Sequence, residues 1–363
     1  MGSGRSESMR FIHTADIHLG AAPDKGSPWS GKREQEIRES FYRLLDLAND
    51  EGIELLLIAG DLFHRPPLKR ELKELNYRFE SMFQTRVVMM PGNHDFLGPA
   101  SNYNGFEWAD NVTFFGKESM QRKHFPKWDL WVYGLGYCHR EIKKPLYDHV
   151  RPGDEPGTHI LLAHGGDEKH IPIDFKQLCA AGFDYAALGH IHKPQVIVPD
   201  RIAYSGSLEP TDRLDVGQRG YILGEIEDTL HPQVSTQFCP FSVREYKNIR
   251  IPSDVDMTLG KLEETLKRLI GSEGSQHIYN ICLQGFRDPD IRFDEDVLMK
   301  LGNIASVKDE TLPWFDFDQL YADNRDNLIG RFIGKVREMP MDDKRRQQIL
   351  TVGIQALYSQ EDR

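Results

Sequence analysis

The 363-residue sequence has few cysteines and no long apolar run. The four cysteines lie far apart and form no CxxC pair, at positions Cys138, Cys179, Cys239 and Cys282. In a chain of this length, such cysteines are expected to be reduced thiols, which predicts a cytoplasmic protein. No apolar stretch reaches the roughly 20 residues that span a membrane, so we expect no membrane contact.

The sequence also lacks an excess of positive charge. Its 45 Lys and Arg residues and 56 Asp and Glu residues give a net charge of −11. This balance argues against binding to nucleic acid through bulk electrostatics. It leaves open nucleic acid that is held by a local basic surface, by bound metal ions or by a partner subunit.

The composition is that of a globular protein, with 39% hydrophobic and 28% charged residues. The length suits one large domain or two to three smaller ones. The first eight residues, MGSGRSES, are rich in Gly and Ser and lack the apolar core of a signal peptide. We interpret residues 1–8 as a cloning scar and expect the natural chain to begin at Met9.

The first 220 residues repeat one pattern, in which a short apolar run is followed at once by polar residues. The runs are continuous and rich in Leu, Ile and Val, as expected for strands that are buried on both faces. Five segments follow this pattern: MRFIHTADIH, IELLLIAGD, RVVMMPGNHD, HILLAHG and YAALGHIH. In such sheets, ligands bind at the carboxyl ends of the strands, where these polar residues lie.

Helical stretches lie between the runs. The segment that ends near Gly52 has apolar residues at the 3.6-residue spacing of a helix, namely Ile37, Phe41, Leu44, Leu45 and Ala48. LKRELKELNYRFESMF behaves similarly. The alternation of strand, helix and strand predicts a layered α/β domain.

The sequence changes character near residue 240. REYKNIRIP, HIYNICLQGF and IASVKDE are typical of strands. TLGKLEETLKRLIG and DEDVLMKLGN are typical of helices, with Thr258 as a cap of the first. We therefore expect a main domain at residues 9–240 and a small α+β module at residues 246–312. Residues 325–358 are predicted to be a helical tail, whose apolar residues pack on their own domain or on a partner.

The polar residues at the strand ends form one set of potential metal ligands. The set has two carboxylates, one amide oxygen and four imidazoles: Asp16, His18, Asp61, Asn93, His164, His190 and His192. Oxygen and nitrogen donors without thiolate suit Mn, Fe or Zn. Seven ligands exceed one tetrahedral site and suit two ions that share a bridging carboxylate. Ordinary core or surface roles are assigned to His13, His124, His139, His149, His159, His170, His231 and His277.

The blocks DIH, GDLFH, GNHD, AHG and GHIH resemble those of the calcineurin-like metallophosphoesterase superfamily. FIHTADIHLG, LLIAGDLFH and YAALGHIHKPQ are most similar to its DNA-repair nuclease branch, which contains SbcD and the YhaO-type exonucleases. The resemblance covers about residues 9–221. It implies a four-layer α-β-β-α sandwich with a small α+β capping domain and a C-terminal helical tail. Phosphatases of the superfamily carry GDxxDRG and GNHE, where this chain has GDLFH and GNHD.

The resemblance also implies how two divalent ions, expected to be Mn²⁺, are held. One ion is expected to bind Asp16, His18 and His192. The second is expected to bind Asn93, His164 and His190. The carboxylate of Asp61 is expected to bridge the two ions.

Three further residues receive catalytic roles from the same resemblance and from their positions. His94 is expected to face the scissile phosphate without binding metal, as a cation or proton donor. His64 corresponds to a second histidine near the DNA in some members of the branch. Asp95 is expected either to orient His94 through a hydrogen bond or to serve only the turn.

Basic residues beside these blocks are candidate DNA contacts: Arg65, Lys69, Arg70, Lys193, Arg213 and Arg219. The branch further implies a homodimer that pairs with an SbcC-like coiled-coil ABC ATPase through the helical tail. The expected activity is that of an exonuclease with single-strand endonuclease activity, which acts in DNA repair and recombination. The alternative is a phosphoesterase that acts on nucleotides, cyclic nucleotides or phosphoproteins. The full ligand set disfavours a scaffold without activity.

Overall fold

The computed structural model describes residues 8–227 and 232–361 of the chain. The predicted cloning scar lies outside the described residues except for its last position. The chain divides into one unit that ends at Tyr246 and a second that begins at Lys247. Among the described residues, no helix has both the length and the apolar character needed to cross a membrane.

The first unit contains two large sheets and three α-helices in the described part of the chain. The strands are β1 (Met9–Thr14), β2 (Leu55–Ala59), β3 (Arg86–Met90), β4 (Val112–Phe114), β5 (Gln121–Phe125), β6 (Leu130–Gly134), β7 (Thr158–His164), β8 (Tyr185–Gly189), β9 (Gln195–Val198), β10 (Ile202–Tyr204), β11 (Gly220–Glu227) and β12 (Gln233–Pro240). The helices are α1 (Ser30–Asp50), α2 (Lys69–Glu80) and α3 (Phe175–Cys179), with a 3₁₀ turn at Pro126–Trp128.

Both sheets have a parallel centre, and antiparallel pairs occur at one edge of the first sheet and at both edges of the second. The first has the order β12-β11-β1-β2-β3-β4, and β1 to β4 run parallel. The second has the order β5-β6-β7-β8-β10-β9, with β6, β7, β8 and β10 parallel. The carboxyl ends of β1, β2 and β3 are therefore at one edge of the first sheet, and those of β7 and β8 are at one edge of the second.

The residues of β2 show how the layers are built. Leu55 and Leu57 pack in the core that the two sheets share, where they join Val132 and Ile160 of the second sheet. Leu56 and Ile58 alternate with them and pack against the helices on the other face. Both faces of the strand are buried, as the continuous apolar run predicts.

Helix α1 covers the outer face of the first sheet. All five apolar residues that the helical spacing selected in this segment are buried: Ile37, Phe41, Leu44, Leu45 and Ala48. The helix ends at Asp50, and Gly52 follows with φ +64°, a left-handed conformation that glycine adopts without strain. Helix α3 and the tyrosine-rich loops around β6 and β7 pack on the outer face of the second sheet. The predicted four-layer α/β sandwich is confirmed.

The second unit contains the β-strands β13 (Tyr246–Ser253), β14 (Ile278–Arg287) and β15 (Ile304–Pro313) and the helices α4 (Leu259–Glu273), α5 (Glu295–Met299), α6 (Phe317–Asp323), α7 (Leu328–Glu338) and α8 (Asp343–Glu361). The strands form one sheet in the order β13-β14-β15. The side chain of Thr258 caps α4 by accepting a hydrogen bond from the amide of Lys261. The boundaries predicted at residues 246–312 and 325–358 stay predictions, because the chain from Lys247 onward forms one unit.

Helices α7 and α8 bury part of the apolar surface of the predicted tail. Ile333, Leu350 and Ile354 lie in one small core. Val352 and Leu328 are exposed. The tail therefore packs partly on its own unit, which was one of the two alternatives that its sequence allowed.

Candidate metal centre

The predicted ligands lie where the carboxyl ends of the strands meet. Asp16 follows β1, Asp61 follows β2, Asn93 follows β3, His164 ends β7 and His190 follows β8. Backbone hydrogen bonds continue the pairing of β1 and β2 beyond the strands. The amide of Asp16 donates to the carbonyl of Gly60 at 3.1 Å, and the amide of His18 donates to the carbonyl of Asp61 at 3.0 Å.

Four of the predicted ligands have a backbone conformation that is rare for residues other than glycine. The φ angles are +51° for Asp16, +53° for His18, +51° for Asp61 and +95° for His190. Such conformations cost on the order of 1–3 kcal/mol each and concentrate at functional sites. The left-handed turn directs each side chain from the end of a buried strand toward the same region.

Gly92 lets two of these loops approach each other. A Cβ atom at this position would collide with the carboxylate and backbone of Asp61 and with the ring of His164. The glycine of the GNHD block is therefore required by the close packing of the ligands around it.

The first group of ligands consists of Asp16, His18 and His192, whose donor atoms all lie within 4.8 Å of one another. The Nε2 atoms of His18 and His192 face each other at 3.0 Å. Asp16 and His18 are fully buried, and the Nδ1 atom of His18 has no hydrogen-bond partner among the described residues. Asp16 accepts a hydrogen bond from the amide of His190 at 2.9 Å.

The second group consists of Asn93, His164 and His190. The Oδ1 atom of Asn93 lies 3.0 Å from Nε2 of His164 and 3.1 Å from Nδ1 of His190. Asp61 lies between the two groups, with one carboxylate oxygen 3.5 Å from Nε2 of His164 and 3.9 Å from Nε2 of His18. The structure thus brings all seven predicted ligands together.

The hydrogen-bond pattern of the second group fits a bound cation. The Nδ1 atom of His164 donates to the carbonyl of Ala59 at 2.8 Å, so in the neutral ring Nε2 carries a lone pair. That lone pair points toward the Oδ1 of Asn93 and the carboxylate of Asp61, and both of these groups are acceptors. When the ring is neutral, three acceptors converge here, and either a proton on Nε2 or a metal ion satisfies them; nitrogen and oxygen donors suit divalent ions.

The electrostatics of the centre also favour positive charge. Burial lowers the pKa of His164, but the carboxylates of Asp61 and Asp16 outweigh it and raise that pKa to about 9. Burial raises the pKa of Asp61, yet the neighbouring His164 and His18 hold it well below its usual range. Burial, assisted by the charge of Asp61, raises the pKa of Asp16 to about 6. The neighbouring imidazoles therefore stabilise the negative charge of Asp61, and a metal ion in the same place would do the same.

His94 and His64 form the outer wall of the centre. Their rings stack with centroids 5.1 Å apart, and the ring of His18 packs edge-on against His94 at 4.7 Å. The amide of His94 donates to a carboxylate oxygen of Asp61 at 2.8 Å. His94 is partly buried and His64 is exposed, so both rings lie between the buried ligands and solvent.

Asp95 does not form the expected hydrogen bond to His94 among the described residues. Its buried carboxylate accepts from the amides of Gly92 and Phe63 and from the hydroxyl of Tyr103, at 2.7, 3.2 and 2.9 Å. These bonds tie the loop after β3 to the loop after β2. Burial, together with the charge of Asp61, raises the pKa of Asp95 to about 7. Of the two roles that the sequence allowed, the contacts favour the turn.

The candidate DNA contacts have different environments. Lys193 and Lys69 are exposed, and Arg213 has 56% of its side chain exposed. Arg65 is exposed but forms an ion pair with Glu71 at 2.7 Å. Arg219 is a poor candidate, because its guanidinium is buried and donates to the carbonyls of the loop around Gln218.

The motifs did not select three residues that contact the predicted ligands. Asp167 accepts from His190, and its second contact is His170, which the sequence analysis assigned an ordinary role. Asp215 accepts from His192. These residues lie in loops with no recognisable spacing, so only the folded chain reveals their positions.

A two-sheet α/β sandwich with carboxylate, amide and imidazole groups clustered at the strand ends defines a metallophosphoesterase. The family model for the calcineurin-like phosphoesterases matches residues 9–194, and the chain belongs to this family. The superfamily that the motifs predict is confirmed. Its members use divalent metal ions, and the ligand clusters described above provide groups that can hold them.

Several curated relatives are similar over most of the chain. The uncharacterized metallophosphoesterase YhaO of Bacillus subtilis is 28% identical over 76% of this chain and 72% of its own length. The DNA double-strand break repair protein Mre11 of Archaeoglobus fulgidus is 25% identical over 84% of this chain and 74% of its own. That of Methanopyrus kandleri is 26% identical over 60% of this chain, which spans only about half (54%) of that relative.

Proposed function

We propose that the chain is a DNA nuclease that requires two divalent metal ions and hydrolyses phosphodiester bonds in DNA repair. The observation that carries the proposal is the convergence of the seven predicted ligand side chains at the strand ends, beside the stacked rings of His64 and His94. The relatives named as DNA double-strand break repair proteins support DNA as the substrate. The proposal includes exonuclease activity on duplex ends and endonuclease activity on single strands.

The ligand roles in this proposal follow the two groups. Asp16, His18 and His192 would hold one ion, and Asn93, His164 and His190 would hold the second. Asp61 lies between the two groups and would contribute its carboxylate to both. When bound, such a pair of ions supplies charge neutralisation for a phosphate and a water of lowered pKa. Manganese is the proposed metal, since mixed oxygen and imidazole donors suit it.

His94 and His64 are the proposed groups that act directly on the substrate. The Nδ1 atom of His94 donates to the backbone carbonyl of His64 at 3.2 Å, which leaves Nε2 to face the substrate. A protonated His94 donates a hydrogen bond to the phosphate and delivers a proton to the leaving oxygen. Asp61 holds the backbone of His94 through its amide, so one carboxylate positions both a metal ion and the acid.

The proposed partners extend beyond this chain. The second unit is proposed to act as a cap at residues 246–312 and to dock on an SbcC-like coiled-coil ATPase through residues 325–358. The exposed Val352 and Leu328 support a docking role for the tail. A homodimer and a cytoplasmic location complete the proposal, the latter because all four cysteines are free thiols.

The experiment that tests the proposal is cleavage of end-labelled duplex and single-stranded DNA with Mn²⁺, Mg²⁺ or Zn²⁺. Bis-p-nitrophenyl phosphate serves as a small diester control, and nucleotides and a phosphopeptide serve as competing substrates. Metal-dependent DNA cleavage by the wild type is the expected result, and the labelled end gives the polarity. In the contrary outcome, the nucleotides or the phosphopeptide are hydrolysed and DNA stays intact, even when the SbcC-like ATPase is added. That result would favour a phosphoesterase that acts on nucleotides or phosphoproteins.

A further inference from the structure

The ring of His190 is held between the candidate metal centre and a carboxylate. Its Nε2 atom lies 2.7 Å from Oδ2 of Asp167, and its Nδ1 atom lies 3.1 Å from Oδ1 of Asn93. An ionised carboxylate only accepts hydrogen bonds, so Nε2 carries the hydrogen and Nδ1 carries the lone pair. The contact with Asp167 therefore selects the nitrogen that can bind a metal.

The ring of His192 has the opposite arrangement, in which Nδ1 faces a carboxylate and Nε2 faces the metal centre. Its Nδ1 atom lies 3.3 Å from Oδ2 of Asp215, and its Nε2 atom lies 3.0 Å from Nε2 of His18. The hydroxyl of Thr211 lies 3.2 Å from Nδ1 and donates to Oδ2 of Asp215 at 3.3 Å, so it too accepts from Nδ1. The same argument puts the hydrogen of His192 on Nδ1 and the lone pair on Nε2. Two histidines separated by one residue thus present different nitrogens, and each ring has its own carboxylate.

Both carboxylates are themselves fixed by their loops. Oδ1 of Asp167 accepts from the amides of Lys169 and His170 at 2.7 and 2.9 Å. The ring of His170 also donates to Asp167 at 2.9 Å, and it packs against the ring of His190 with centroids 4.6 Å apart. A carboxylate that is held at three points cannot follow a rotating imidazole, so it fixes the ring plane.

Asp215 is held in the same manner but with less exposure to solvent. Its Oδ2 atom accepts from the amides of Thr211 and Asp212 at 2.9 and 3.0 Å. Arg219 lies 3.5 Å from the other oxygen. The side chain of Asp215 is 10% exposed, whereas that of Asp167 is 45% exposed.

We propose that Asp167 and Asp215 are positioning residues, each of which fixes the tautomer and the ring orientation of one metal-ligating histidine. The inference rests on the proposed function, in that His190 and His192 bind different ions. Carboxylate partners of ligating histidines typically change metal affinity by about 10- to 100-fold when they are removed. Loss of Asp167 therefore weakens one of the two ions selectively.

The test is a titration of the metal-free full chain with Mn²⁺, in which electron paramagnetic resonance measures the free ion. The variants are Asp167→Ala, Asp167→Asn and the matched control Glu168→Ala, since Glu168 is exposed and adjacent. We expect two ions in the wild type and in the control. In Asp167→Ala, one ion binds as before and the other about 10- to 100-fold more weakly. Asp167→Asn is intermediate, because its amide oxygen still accepts from Nε2.

Each other outcome has a defined meaning. If the wild type binds two ions and Asp167→Ala binds both with wild-type affinity, the positioning role is wrong while the proposed function stands. If the wild type binds three ions and Asp167→Ala binds two, Asp167 is a ligand and the inference is also wrong. If the wild type fails to bind two ions, the two-metal part of the proposed function is wrong, and the positioning role loses its basis. The melting temperature of all four proteins is measured without metal. Equal values would show that a selective loss of Mn²⁺ affinity is not a folding defect.

Discussion

The ring of His94 is oriented by a backbone carbonyl, since its Nδ1 atom donates to the carbonyl oxygen of His64 at 3.2 Å. The side chain of His64 stacks on the same ring. One residue therefore contributes to His94 both a main-chain acceptor, which any substitution retains, and a ring, which most substitutions remove.

This relationship separates the effects of two substitutions. His64→Ala keeps the carbonyl and is expected to lower the rate on bis-p-nitrophenyl phosphate by less than about tenfold. His94→Ala removes the acid and is expected to lower that rate by about 10²- to 10⁴-fold. Steady-state kinetics with Mn²⁺ measures both. Equal losses for the two variants would contradict the assignment of the acid to His94.

The buried carboxylate of Asp95 is expected to stabilise the loop that carries Asn93 and His94. Tyr103→Phe removes one of its three hydrogen bonds and should lower the free energy of unfolding by about 1 kcal/mol. Asp95→Ala leaves the amides of Gly92 and Phe63 without their acceptor and should cost about 2–6 kcal/mol, on the order of 1–3 per buried group. Urea denaturation of both variants without metal measures the difference. A smaller loss for Asp95→Ala than for Tyr103→Phe would contradict this structural role.

Gly92→Ala is expected to disturb the centre, because a Cβ atom there collides with Asp61 and His164. We expect a loss of about 1–3 kcal/mol in unfolding free energy together with weaker Mn²⁺ binding. The matched control is Gly31→Ala on helix α1, where a Cβ atom meets no neighbour within 4 Å. That variant should leave the stability unchanged or raise it by up to about 1 kcal/mol, because alanine favours a helix more than glycine does. Normal Mn²⁺ binding in Gly92→Ala would show that the loops are less tightly packed than described.

Metal removal is expected to destabilise the first unit. The ligands come from loops after five strands, so ions that bind only the folded form raise its stability. Free Mn²⁺ at 100 times its dissociation constant adds about 2.7 kcal/mol for one site. Thermal unfolding with Mn²⁺ and with EDTA measures the shift, and His192→Ala should reduce it. An identical melting temperature with Mn²⁺ and EDTA would contradict the presence of a metal site.

Lys193 and Arg65 are expected to differ in their contributions to DNA binding. Lys193 is exposed, with no ion pair among the described residues, and follows His192 directly. Lys193→Ala should weaken binding to all DNA sequences and reduce the slope of log affinity against log salt by about 1. Arg65→Ala should have a smaller effect, because Arg65 already pairs with Glu71. Fluorescence anisotropy at several salt concentrations, with EDTA present, provides the comparison.

The sequence was informative about the strands and their ends for a physical reason. A parallel strand that is buried on both faces must be apolar throughout, so polar residues directly after it are conspicuous. That pattern selected Asp16, Asp61, His164 and His190 before any geometry was known. The spacing of α1 similarly predicted which of its residues are buried.

Other features depend on folding and leave no local pattern. Asp167 and Asp215 reach His190 and His192 through loops whose paths depend on the packed sheets. The sequence predicts neither the edge strands β5 and β9 nor the hairpin of β11 and β12. For β5, the reason is that an exposed edge carries a mixed sequence, QRKHF. The positive φ angles of the ligands likewise follow from tertiary packing, because Asp and His rarely adopt them locally.

The most direct test of the account is the rate of nucleotide release from an end-labelled DNA duplex with Mn²⁺, measured for the wild type and for His94→Ala. Bound manganese is counted in both proteins. The account predicts two bound ions in each protein, with cleavage by the wild type and a rate about 10²- to 10⁴-fold lower in His94→Ala. Equal cleavage rates at equal metal content would contradict the role of His94. Two bound ions without DNA cleavage by the wild type, even with the ATPase added, would contradict the nuclease function itself.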